Sequence, residues 1–542
     1  MIIVDPVALG DVACTRASAK WVYDRTGTLV EVPANTLGVT YDPADLSRAP
    51  YATVEPAAVN RLKMNTRLDH TEWPKNRVTV DGDTAISPDG TLYADKVVPD
   101  ASFAAHYIEQ QVNQSFSDGE VYTFSVYVKA GGIARVRLDL YYAIGSTGGH
   151  AATFNLDAET CFALSPDIKS VKIEPLPGGW YRCILTSTVT FSAVHPNRVL
   201  CRFVFYDVNN LVTFSGNGVD GLWIWGPQFE DGDKATSLIK TLDVPVTRAA
   251  DVIGAGAGLV YSNVPITEAP YSATATYAKD AAVHDPVTKI VYWSMQASNV
   301  GKPLSDPLWW NKRSAINRWA MFDDRNSTVT SNPEEIIAVV SARAITQGLF
   351  AGALDASEVR ISMTHPTRGV VYSEKRALAL PRSGSSFYGW CFNRLQMRTW
   401  FLTLKLPVFA NALVTITIRR PGGVAKCGMC MIGPAIDVGL SLMGLSTELK
   451  DYSTTTFYPD GSSDTIPRGF SKRMSIDLLV ERDRVESIED DLIRRRQKTL
   501  VWLGSTVRGD TMLVGKFSSF RKVIDSYPRS KMALQIEGVL SQ

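Results

Sequence analysis

The chain has 542 residues, 45% of them apolar and 20% charged; that is ordinary for folded protein and too long for one core, so about three or four domains are expected. Lys and Arg number 56 against 55 Asp and Glu, a formal net charge of +1, which leaves no electrostatic footprint for nucleic acid. The longest apolar stretch, residues 431–445, is broken by Pro434 and Asp437, so no stable membrane insertion is expected either.

The opening MIIVDPVALGD has no basic n-region and meets Asp5 and Pro6 at once, so no secretory signal is expected. Residues 1–60 are irregular and rich in proline. They read as an N-terminal arm with short strands, lying on its own domain or on a neighbouring subunit. Residues 61–252 carry ten short alternating runs punctuated by Gly, Pro, Asn and Asp, the pattern of a two-sheet jelly roll.

Within that domain, YTFSVYVKAGG (122–132) places Tyr122, Phe124, Val126 and Val128 on one side of a strand and Thr123, Ser125, Tyr127 and Lys129 on the other. Ala130-Gly131-Gly132 reads as the turn into ARVRLDLYY as the adjacent strand. With Val136, Leu138 and Leu140 inward, Arg135, Arg137, Asp139 and Tyr141 point outward. Ser125, Tyr127, Lys129, Arg137, Asp139 and Tyr141 are therefore expected to form one polar, aromatic patch. Such a patch suits a sugar, whose apolar ring face stacks on aromatics while its hydroxyls bond short polar groups. It equally suits a face covered by another subunit, or a solvated face held by cross-strand pairs.

Trp223 and Trp225 share one face of GLWIWG and are expected in the core with Trp180 and Phe124. The acidic turns Asp81-Gly82-Asp83 and Asp231-Gly232-Asp233 are the candidate ligands of a structural calcium ion, although Asp-Gly is also a common turn pair. No other cofactor is expected.

Residues 253–330 read as a linker and a small unit dense in tryptophan (Trp293, Trp309, Trp310, Trp319), where large aromatics make up for a short chain. Residues 331–470 return to strands and suggest a second β-sandwich. Residues 471–542 suggest a small α+β domain. Its helix, in DRVESIEDDLIRRRQ, would carry the stripe Val485, Ile488, Leu492 and Ile493, a capping box from Asp483 and Glu486, and a basic end at Arg494, Arg495 and Arg496 that complements the dipole. The fold class is mainly β and multidomain.

Seven scattered cysteines, an odd number, argue against a disulfide framework. Cys427 and Cys430 form a C-x-x-C with no second ligand pair, so buried strand positions are expected there and no metal. There is no nucleophile elbow of the G-x-S-x-G form and no pair of histidines four apart. With 55 acids a carboxylate pair for glycoside chemistry is always available, but no spacing singles one out. No catalytic residue is nominated and no covalent chemistry is expected.

Six stretches stand in a familiar order: SPDGTLYADKVV (87–98), HYIEQQV (106–112), YTFSVYVKAGG (122–132), GGWYRC (178–183), GLWIWGPQFEDG (221–232) and VTRAADV (246–252). Together they resemble a recurrent module of bacteriophage tail and spike fibre proteins, itself similar to jelly-roll carbohydrate-binding modules. The lead-in VEPAAVNRLKMNTRLDHTEW (54–73) resembles the usual entry to this module, with Arg61 set between Asn60 and Leu62 where the pattern has none. WW (309–310) followed by NRWAMFD (317–323) looks like a segment of tail-tip and baseplate-associated proteins, and the stretch with Trp293 before it resembles small chitin-binding folds. VWLG (501–504) and the closing IEGVL (536–540) are similar to small modules at the ends of phage tail proteins.

The resemblance implies a structural virion protein of a tailed phage, at the tail tip, baseplate or fibre. Such a protein is made in the host cytoplasm and resides in the virion. It assembles with other tail or baseplate proteins as a homo-oligomer, a trimer being the first expectation for a fibre-like part, and it binds host surface glycan for adsorption. A polysaccharide-degrading tail enzyme and a head-attached spike are the alternatives.

Overall fold

The computed structural model describes residues 1–114, 116, 119–141, 149–188, 198–207, 209–325, 327–380, 396–505, 509–523 and 529–539. Period-two alternation becomes strand along most of them, and the fold is mainly β with several sheets. The chain divides into two compact units, residues 13–254, and residues 1–12 with 255–542.

The first unit is a jelly-roll sandwich. Its strands are β1 (Lys75–Asn76), β2 (Val78–Ala85), β3 (Ala94–Pro99), β4 (Tyr107–Asn113), β5 (Val121–Gly131), β6 (Arg135–Tyr141), β7 (Gly149–Asn155), β8 (Thr160–Ala163), β9 (Ile168–Leu176), β10 (Trp180–Thr188), β11 (Arg198–Phe205) and β12 (Gly221–Asp231). One sheet runs β2-β3-β12-β5-β10-β9 and the other β8-β7-β6-β11-β4-β1. Tyr122, Phe124, Val126 and Val128 from β5 meet Val136, Leu138 and Leu140 from β6 in the buried layer between the sheets. The alternation expected within each strand is therefore present.

The expected pairing of β5 with β6 is not. They lie in different sheets, β5 between β12 and β10 and β6 between β7 and β11. Ala130-Gly131-Gly132 arches from one layer to the other instead of closing a hairpin. Gly132 sits at φ 107°, and a side chain there would overlap Asp220, so glycine is required at the bend.

Residues 13–60 of this unit form two short hairpins, Lys20–Tyr23 with Leu29–Val32 and Gly38–Thr40 with Tyr51–Thr53. They lie on the outer face of the β5 sheet, where Trp21, Tyr23 and Leu29 pack with Tyr127, Trp180, Trp225 and Leu238. Trp225 is buried with Trp180 as expected, but on this outer face, which corrects the expected packing of the β12 tryptophans against Phe124. Leu222 and Ile224 fill the inter-sheet core with Phe124, whereas Trp223 and Trp225 face the arm.

Charge fixes the arm as well. Asp251 pairs with Arg16 at 2.7 Å and Lys20 at 2.8 Å, all three buried, and Lys20 also reaches Glu55 at 3.0 Å. Arg248 stands 3.2 Å from Glu55. Two short ladders, Cys14–Thr15 with Val252–Ile253 and Ala58–Asn60 with Val246–Arg248, close the unit beside them.

In the second unit, a four-stranded sheet spans residues 269–315 and contains Trp293 and Trp310. A six-stranded sheet and a three-stranded sheet share a core that includes Ile336, Val340, Ile361, Ile416, Leu349 and Ile432. Cys427 and Cys430 are buried in that core, and burial pushes the Cys427 thiol up to about 12; Cys391 lies outside the described residues.

The terminal sheet takes an unexpected member. Ile2–Val4 is inserted between Ala435–Asp437 and Leu500–Leu503, so the first residues do not travel with the arm. The α-helix Arg482–Arg494 buries Val485, Ile488 and Leu492 on this sheet. Ile493 is 55% exposed, since one residue turns the helix about 100° past Leu492. The N-cap is Glu481, which makes no side-chain cap bond among the described residues. Asp483 lies inside the first turn, where it favours the dipole but cannot cap.

Candidate functional site

The outer face of the β6 sheet is a regular grid. In-register pairing sets three rows across β4, β11 and β6: Tyr107–Val204–Arg137, Glu109–Arg202–Asp139 and Gln111–Leu200–Tyr141. Their neighbours in sequence, among them Ile108, Phe203 and Leu138, take the core side, so strand periodicity alone directs these side chains outward.

Arg202 occupies the middle of the grid. Its guanidinium lies 4.2 Å from the Tyr107 ring centroid and 5.4 Å from that of Tyr141, and it forms a 2.7 Å ion pair with Glu109. Stacking of a planar cation on aromatic faces holds all three side chains in place. Beside them Arg137 donates Nε and Nη2 to the two oxygens of Asp139, each at 2.6 Å, the bidentate geometry that fixes both groups.

Burial pushes the Asp139 carboxyl up, against the opposing pull of Arg137 and Arg202. Burial also works against the Arg137 charge, but Asp139 and the Tyr206 hydroxyl more than offset it and the guanidinium keeps its proton more firmly. The result is a half-buried platform of two phenol rings and fixed donors and acceptors, with Thr153 and the Tyr206 hydroxyl alongside it, 3.3 Å apart.

The six residues expected to form one patch are divided between the two sides of the sandwich. Arg137, Asp139 and Tyr141 belong to the grid. Ser125, Tyr127 and Lys129 point outward from the other sheet, because β5 and β6 are not neighbours. Ser125 and Tyr127 are each 1% exposed, covered by residues of the same unit. Ser125 accepts a bond from Arg182, Tyr127 meets Tyr23, and Lys129 lies 5.9 Å from the Trp223 ring. Tyr107, Glu109 and Arg202, central to the grid, were missed. Their outward positions are legible in HYIEQQV and VLCRFVF; their adjacency to Arg137, Asp139 and Tyr141 is a long-range pairing.

Neither a protein-family model nor a curated protein sequence matches the chain. Solved structures do match. One is the enzymatically active domain of tailspike protein 4 of bacteriophage CBA120, at 11% identity and TM-score 0.22, over 32% of this chain and 21% of that one. A carbohydrate-binding module described for specific mannan recognition matches at 12% identity and TM-score 0.20, over 32% of this chain and 95% of the module. A tandem pair of carbohydrate-binding domains from Paenibacillus barcinonensis matches at 9% identity and TM-score 0.21, over 70% of this chain and 99% of the pair. The chain thus spans about a fifth of the tailspike chain it matches, and likenesses of this size carry no residue roles across.

One expectation is overturned here. The matches include the tailspike's enzymatically active domain, a glucanotransferase from Paenibacillus and a rhamnosidase from Bacillus, so the exclusion of enzymatic chemistry is withdrawn. Its weakness was physical: carboxylates brought together by long-range strand pairing leave no spacing in the sequence.

Proposed function

We propose that the β4-β11-β6 face binds carbohydrate and that the chain is a structural part of a phage tail which uses this face to hold host surface glycan. The stacked trio Tyr107–Arg202–Tyr141 carries the reading. Two phenol rings offer apolar surface to sugar rings, while the Arg137–Asp139 and Arg202–Glu109 pairs present fixed donors and acceptors to hydroxyls. The tail assignment, with virion residence, tail or baseplate partners and a trimeric assembly, is supported by the ordered motifs from Ser87 to Val252. Several copies would raise avidity without new contacts.

The test is a glycan array with the full chain and with Tyr107→Ala and Tyr141→Ala. Signal for at least one glycan, lost in both variants at unchanged unfolding midpoint, supports the reading. Equal signal in the variants places binding elsewhere and refutes this face as the site. The tail assignment is checked separately, by labelling the chain in intact particles and by the mass of the purified oligomer.

A further inference from the structure

The opposite face of the sandwich holds a different kind of space. Where residues 13–60 cover the β5 sheet they leave a cavity of about 410 Å³, within the roughly 300–1,000 Å³ of small-molecule sites. Trp21, Tyr23, Tyr51 and Tyr127 line it with aromatic rings, and Arg182 and Glu174 with polar groups.

Arg182 is 7% exposed. It donates to the Ser125 hydroxyl at 3.1 Å and the Thr236 carbonyl at 2.7 Å, and it lies 5.4 Å from the Tyr127 ring centroid. Among the described residues its Nε–H has no hydrogen-bond partner. Glu230 acts on it electrostatically but accepts from Gln228 and from the Thr236 N–H. A buried donor without an acceptor is costly, and this one belongs to a residue of the cavity wall.

We propose that this cavity is a second binding site, for a single neutral sugar residue, either a free hexose or the end of a chain. The aromatic walls suit the apolar face of the ring. A sugar oxygen would accept a hydrogen bond from the Nε–H of Arg182, and the exposed Glu174 carboxylate would accept one from a sugar hydroxyl. A neutral ligand fits better than an anion. The wall also includes Asp42 and Glu55, already paired with Arg48 and Lys20, so Arg182 is matched by Glu174 with no surplus of positive charge. The arm roofs the sheet, in contrast to the open rows of the β4-β11-β6 grid, and this favours one residue over a run of them.

The experiment uses the full chain with glucose, galactose, mannose and N-acetylglucosamine in turn, read by saturation-transfer NMR at millimolar sugar. The proposal expects a signal for at least one sugar. That signal should fall at least fivefold in both Glu174→Gln and Trp21→Ala and be retained in Tyr107→Ala on the other face. Glu174 is exposed, so its variant tests the site without endangering the fold. No signal with any of the four sugars overturns the proposal, as does a signal that survives either cavity variant or is lost in Tyr107→Ala. Failure of the grid as a binding face would register separately, in the array, as Tyr107→Ala and Tyr141→Ala without effect.

Discussion

The phenol oxygens of Tyr23 and Tyr127 stand 3.1 Å apart although 104 residues separate them in sequence. Tyr23 belongs to the N-terminal arm and Tyr127 to a central strand of the jelly roll, so this bond joins the arm to the sheet it covers. Burial raises both phenols, that of Tyr23 well above its ordinary range, as expected where water no longer solvates the phenolate. Removing one hydroxyl leaves the other without its partner in a buried place, at about 1–3 kcal/mol. Tyr127→Phe should lower the urea-unfolding free energy by that order. In Tyr23→Phe/Tyr127→Phe the second change should cost far less than it does alone; strict additivity in this cycle would show that the two hydroxyls do not interact.

Asp251 holds both Arg16 and Lys20, and its own oxygen also accepts the Glu55 backbone N–H at 2.9 Å. All three charged side chains are fully buried. Breaking such a network by removing one member leaves uncompensated charge, typically about 3–5 kcal/mol. Asp251→Asn should therefore release the arm: limited proteolysis should cut within residues 13–55 well before the sandwich core is cleaved. Wild-type resistance in that variant would show that the aromatic packing alone retains the arm.

Glu55 gives the arm a pH dependence. Burial pushes its carboxyl up, but Lys20, Arg248 and the Ser237 hydroxyl outweigh that and hold it at about 2, below its ordinary 4.5. The ionised form therefore favours the folded state. Its contribution is complete above pH 4.5 and is lost as the pH falls through about 2. Thermal unfolding across this window should show the wild type losing stability more steeply than Glu55→Gln. Parallel curves would mean that Glu55 is not the group responsible.

Arg202 separates stacking from charge in the proposed glycan face. Arg202→Lys keeps the cation but gives up the flat guanidinium between Tyr107 and Tyr141. If stacking orders the two rings, glycan affinity should fall about fivefold, the equivalent of roughly 1 kcal/mol, with little change in salt dependence. An unaltered titration would mean that the rings are held by their strands and not by the arginine.

What was legible in the sequence was local. Alternation placed Phe124 and Val126 in the core and Ser125 and Tyr127 outside it, and it separated Leu138 and Leu140 from Arg137, Asp139 and Tyr141 in the same way, because side-chain direction depends only on position along the strand. Partner choice is a long-range property, and Ala130-Gly131-Gly132 shows the difficulty. Glycine permits a hairpin turn and an arch between layers equally well, so the short link suggested adjacency that the fold does not have. The outer side of β5 looked like surface because it carries Ser125 and Lys129, yet a segment far upstream covers Tyr127, and Arg182, held by the Thr236 carbonyl, closes over Ser125. Half of the expected patch therefore falls in the grid and half on the opposite side of the sandwich.

The same long-range effect governs the other unit, where Ile2–Val4 fills the slot between Ala435–Asp437 and Leu500–Leu503. Ile3 is 1% exposed and packs with Trp502 and Ile536. Just past this strand the Asp5 carbonyl lies against Gly433, where any β-carbon would overlap it. Two substitutions probe the junction by different routes. Ile3→Ala removes buried methyl groups and leaves a cavity, at about 2–5 kcal/mol. Gly433→Ala leaves the core intact but pushes the first strand away from its seat. Both should lower the unfolding midpoint, and hydrogen exchange should distinguish them. Gly433→Ala should expose the Ile2–Val4 amides and the facing amides of Leu500–Leu503 while the Arg482–Arg494 helix stays protected. Protection of Ile2–Val4 unchanged in Gly433→Ala would show that the close approach at Asp5 does not position the strand.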